Sequence, residues 1–172
     1  MDSLKEGACM KQNVENKWIA IYAIILGVAY VILGTVEFAL GVYNLFSPIE
    51  SVSLVGVSAD IFGGFAAFVI GVTYLSAMPL LKGVRESLGF ILVGTLLSTV
   101  YGVIYLLIVC ADGLETLLTF LGGGAWTWEW LTSGSAGTGL LRPEIWLFFV
   151  SLPLAYLTLR KKERGRSQND KS

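Results

Sequence analysis

Long apolar runs separated by short polar stretches dominate this chain, and their lengths are the first clue to its solvent. A helix rises about 1.5 Å per residue, so about 20 apolar residues are needed to cross about 30 Å of hydrocarbon. Runs of that order extend from Trp18 to about Leu45, from about Leu54 to Leu81, and from about Leu88 to Cys110. A fourth, shorter run covers 143–159 (PEIWLFFVSLPLAYLTL). Pro143 suits the first turn of a helix there, because its missing N–H costs nothing at that position, whereas Pro153 inside the run predicts a bend. The first run exceeds the apolar core of a secretory leader and is followed by no small-residue cleavage site, so it is read as a membrane helix. The pattern predicts an all-α integral membrane protein, with residues 1–172 forming one membrane domain built as a four-transmembrane-helix bundle.

Composition supports lipid as the main solvent. The chain is 55% hydrophobic and only 15% charged, with a mean hydropathy of +0.71, too apolar for a soluble domain of this length. A net charge of −1 carries no basic footprint for nucleic acid, which is not expected as a partner. The absence of histidine removes the commonest metal ligand and the usual proton-transfer group near neutral pH. Cys9 and Cys110 fall at opposite membrane faces in this arrangement, too far apart for a disulfide. There is no phosphate-binding glycine loop, dinucleotide fingerprint, zinc-ligand spacing or nucleophile elbow. No catalytic residue, metal site or cofactor is therefore predicted, and the chain is not expected to be an enzyme.

Lys and Arg resist translocation, so their distribution sets orientation. Of the twelve basic residues, all but Arg142 lie in the 1–17 tail, in the connection holding Lys82 and Arg85, or in the basic tail at 160–172. The opposite connections, 46–53 and 111–142, carry Glu50, Asp112, Glu115, Glu129 and Arg142, with Glu144 just beyond them. Both termini are therefore expected on the cytoplasmic side of the cell membrane, which requires an even number of crossings.

Lipid tails are as apolar as leucine, so membrane helices associate through close packing at small residues. In the first run Ala20, Gly27, Gly34 and Gly41 recur every seven residues; in the second Gly64, Ala67 and Gly71 share a face headed by Asp60; the third holds Gly94, Ser98 and Gly102. These stripes predict a close three-helix core, with the fourth helix outside it. They serve equally for contacts within one bundle or with a second copy of the chain.

Only Glu37 and Asp60 fall inside the long apolar stretches, and ionisable groups there are candidates for function. Along straight helices Glu37 lies about 30 Å from Lys17 and Asp60 about 33 Å from Lys82, so both are expected near the outer boundary and within reach of each other. Two close carboxyl groups in a poor solvent hold a proton, bind a cation, or pair with a base, and Arg142 is the outer-side base available.

The 111–142 segment is too apolar for an ordinary linker and is predicted to lie at the membrane interface as a Trp-rich cap. Leu114–Leu121 reads as a short interfacial helix ended by Gly122, Gly123 and Gly124. Trp126, Trp128 and Trp130 alternate, placing three indoles on one side of an extended stretch, where they favour headgroups or form a binding platform. Ser133–Gly139 reads as a flexible hinge.

The functional expectation is a non-enzymatic structural or accessory subunit of a membrane assembly, with the lipid bilayer and a membrane partner or second copy as its contacts. A small oligomeric transporter or channel, using Glu37 and Asp60 to take a cation or a proton, is the alternative.

Overall fold

The computed structural model describes residues 2–46, 59–134 and 139–169. Four α-helices follow in chain order: α1 (Asp2–Phe46), α2 (Ile61–Leu75), α3 (Leu88–Leu121) and α4 (Pro143–Asn169). Short 3-10 turns at Met78–Lys82, Arg85–Ser87, Glu129–Leu131 and Gly139–Leu141 join them. The connection over residues 47–58, residues 135–138 of the expected hinge, and the side chains of both tails lie outside the described residues. Lys17–Phe46, Ile61–Lys82 and Leu88–Leu121 are long and apolar enough to cross a membrane.

Local chemistry accounts for the helix ends. Asp60 sits ahead of α2 in an extended conformation and its Oδ1 accepts the Gly63 N–H at 2.9 Å, satisfying a donor that the first helical turn leaves orphaned. The described helix therefore starts at Ile61, so Asp60 caps it and does not lie on its face as the sequence reading had it. At the far end Pro79 begins a tighter turn that closes at Gly83, whose φ of +89° is the left-handed conformation glycine tolerates.

α3 continues beyond Cys110 without a break until Gly122, so Leu114–Leu121 is not a separate interfacial helix. Acidic residues such as Asp112 and Glu115 mark where a chain meets water, yet they do not stop backbone hydrogen bonding. Thr116 and Thr119 even donate to the carbonyls of those two residues. α4 begins at Pro143 and runs on through Pro153 as one helix.

The helices pack closely in pairs. A methyl group placed on Gly34 would lie 2.6 Å from the Gly64 carbonyl oxygen, and one on Gly71 would lie 2.8 Å from the Gly27 carbonyl oxygen. The α1 and α2 backbones are therefore in contact along this seam, as small-residue packing permits. Gly41 meets Ile61, Ala67 is buried, Gly94 faces the Tyr74 ring, and Gly102 is covered by Phe148 of α4. This last contact corrects the expected three-helix core. Phe148, Ser151 and Leu154 of α4 are buried, because the α3 small-residue stripe receives α4 side chains and draws that helix into the bundle.

Hydroxyl groups join all four helices inside. Tyr30 and Ser98 share a 2.6 Å hydrogen bond, Ser98 and Ser151 one of 3.3 Å, and Tyr74 donates to Thr95 at 3.1 Å. The Tyr30 and Tyr74 rings stack with centroids 6.1 Å apart. Further along the same core, Leu80, Ile91 and Leu154 are completely buried and apolar. The outward faces are apolar too: Ile25, Ile32, Phe62, Phe65, Leu96 and Leu107 are all exposed, an arrangement that suits lipid and penalises contact with water.

Candidate functional site

The polar side chains that the sequence scatters along the chain converge where α1 ends, α2 begins and α4 begins. Arg142 occupies the residue before α4 and is 3% exposed. Its Nη2 donates to Asp60 Oδ2 at 2.8 Å, and its Nε donates to Glu144 Oε1 at 3.1 Å. The guanidinium carbon also lies 3.8 Å from the centre of the Tyr105 ring on α3, a cation–π contact strengthened by the loss of water around it. Tyr105 completes the group by donating its hydroxyl to Asp60 Oδ2 at 3.1 Å.

Gly63 makes room for this clasp. A methyl group on it would lie 2.6 Å from Asp60 Oδ2 and 2.7 Å from Arg142 Nη2, so any side chain there displaces the ion pair. Partial burial opposes ionisation of Asp60, but the Gly63 N–H, the Arg142 guanidinium and the Tyr105 hydroxyl outweigh it and hold the carboxyl below the ordinary carboxylate range. Asp60 is 30% exposed, whereas Glu144 is nearly enclosed.

The two acids singled out in the sequence part company here. Asp60 is committed to Arg142, Tyr105 and Gly63. Glu37 on α1 is fully buried, and its carboxyl lies beside that of Glu144 rather than in a private pair with Asp60. Neither Glu37 oxygen has a partner in hydrogen-bonding geometry, and Glu144 Oε2 has none either. Among the described residues no three acidic or thiol side chains are grouped to hold a metal ion.

The tryptophans do not form one platform. Trp126 packs edge-on against Phe120 and Trp128, with centroids 6.0 and 5.4 Å away. Trp130 turns within the Glu129–Leu131 helical turn and lies over Gly113 on α3, half-buried. The chain coils into a turn at that point, so the alternation of an extended strand does not apply.

Three participants were not singled out from the sequence: Glu144, Tyr105 and Gly63. Glu144 had a usable signal, since an acid two residues after an otherwise isolated base and at the start of a helix is well placed to share it. Tyr105 and Gly63 carried none, because each is ordinary membrane-helix composition until the fold brings it to Arg142.

A helical bundle with apolar outer faces and a buried ionic end is the architecture of a membrane domain, and a family model makes the same assignment. The model described as the MJ0565 integral membrane domain matches residues 13–161. The chain belongs to this family. The matched range takes in the three long apolar spans found among the described residues, the whole Arg142 clasp, and the apolar part of α4. No curated protein and no solved structure matches the chain. The protein is thus an integral membrane protein of the MJ0565 type, with a helical membrane domain as its main body.

Proposed function

We propose that this protein is a non-enzymatic structural or accessory subunit of a membrane assembly. In this reading it crosses the bilayer four times, with both termini cytoplasmic, Arg142 at the outer face and the Trp126–Trp130 stretch at the outer interface. α4 supplies the fourth crossing through Ile145–Leu159, which is shorter than the other spans but lies between Glu144 and Arg160 and has exposed Leu152, Tyr156 and Leu157 for lipid contact. The observation that carries the proposal is the clasp itself. Arg142 is buried and shared between the starts of α2 and α4, the use of a membrane charge that asks for no substrate. The apolar block of Leu80, Ile91 and Leu154 further along the core agrees with a bundle built to pack.

A small oligomeric transporter or channel is the second reading, and one observation favours it: Glu37 is buried without a partner. The two are separated by purifying the protein from its native membrane in mild detergent and by reconstituting it in liposomes. A stoichiometric membrane partner, together with no proton or monovalent-cation flux, is the expected result. Flux that disappears in Glu37→Gln would overturn the accessory role.

A further inference from the structure

The clasp leaves two groups at its inner side unused. Glu37 is fully buried with both oxygens unpartnered, and Glu144, 4% exposed, has an unpartnered Oε2 while Oε1 is held by Arg142. Glu144 also lines a cavity of about 10 Å³ with Tyr30, Ser98, Tyr101 and Tyr105, about the room one water molecule needs. The charged groups facing Glu37 are Glu144, Arg142 and Asp60.

We propose that Glu37 and Glu144 form a buried proton-binding site, in which a single proton held between the two carboxyl groups ties α1 to α4. Charge counting leads there. Arg142 supplies one positive charge against the ionised Asp60 and Glu144. An ionised Glu37 would add a third negative charge at a fully buried position, and an uncompensated buried ion costs several kcal/mol. One proton removes that charge. It also supplies the donor that the two acceptor-only carboxylates lack, turning repulsion into a charge-assisted hydrogen bond. Two carboxyl groups with an arginine already in place offer a metal ion too few free oxygens, so the proton is the ligand class that fits. Release of the proton would set like charges against each other across the α1–α4 contact, and the small cavity beside Glu144 gives water a place from which to receive it.

This site stands apart from the accessory role proposed above, since a proton that is never released serves a structural protein as well as a carrier. The test is infrared spectroscopy of the whole protein in lipid nanodiscs at neutral pH, comparing ordinary and heavy water. The expected result is a carboxylic-acid carbonyl band, equivalent to one buried group per chain, that is lost in Glu37→Gln and shifted in Glu144→Gln. Absence of the band in the wild-type protein, which requires no variant to fold, would overturn the proposal. A band unchanged by Glu37→Gln would also overturn it, and so would one unmoved by Glu144→Gln, since Glu37 would then hold its proton alone and nothing would be shared with α4.

Discussion

Replacing Arg142 by Met keeps much of the side chain's length and removes its charge, which makes it the sharpest probe of the clasp. The substitution deletes two ion pairs of 2.8 and 3.1 Å and the contact with the Tyr105 ring. It leaves Asp60 and Glu144 facing Glu37 with no base among them. Removing one partner of a buried pair costs about 3–5 kcal/mol. Glu144 is nearly enclosed and contributes fully to that penalty, but Asp60 is 30% exposed and can turn toward solvent. The lower end, about 3 kcal/mol, is therefore expected. For a domain of this size that corresponds to a fall in melting temperature of about 6–12 °C, readable from tryptophan fluorescence in detergent or nanodiscs. Arg142→Lys should lose most of the same stability, because a single ammonium cannot reproduce the guanidinium fork that reaches Asp60 through Nη2 and Glu144 through Nε. Adding Asp60→Asn and Glu144→Gln to Arg142→Met should recover part of the loss, since the remaining groups are then neutral. A melting temperature for Arg142→Met within about 2 °C of wild type would refute the claim that the clasp holds the helix ends together.

Gly34→Val is expected to lower stability by at least about 1–3 kcal/mol by forcing α1 and α2 apart, whereas Gly89→Ala, with open space around it, should be neutral or slightly stabilising. Equal melting temperatures for the two would mean that the α1–α2 seam is not a close backbone contact. Reporters fused after Ser172 and after Gly123 are expected on the cytoplasmic and outer sides respectively; an external signal from the Ser172 fusion would reverse or break the proposed topology.

The membrane character of the chain was legible because span length and apolarity are local properties. So were the glycine seams of α1 and α2, where a seven-residue spacing brings Gly27, Gly34 and Gly41 to one face. Helix limits were less legible. The α3 boundary was read from the first acids after the apolar run, but a helix ends where its backbone partners end, at Gly122. At the site, counting along the helices pointed to one end of the bundle for Glu37, Asp60 and Arg142. Such counting could not decide partners, because a pairing depends on side-chain direction and on the gap at Gly63, and neither is encoded by distance along a helix. The hydroxyl network of Tyr30, Ser98 and Ser151 was hidden for the same reason: Ser98 was legible as a small residue and not as a donor.

Arg142 comes late in the chain, after three helices have already been made, and this imposes an order on assembly. Until the final helix arrives, the acid ahead of α2 has no cation to meet and the acid on α1 has no neighbour to share with. A chain made only as far as α3 therefore has the Asp60 carboxylate in place without the guanidinium that pairs with it in the finished bundle. The arrival of α4 thus does two things at once, closing the bundle and neutralising the acid that the start of α2 holds ready for it.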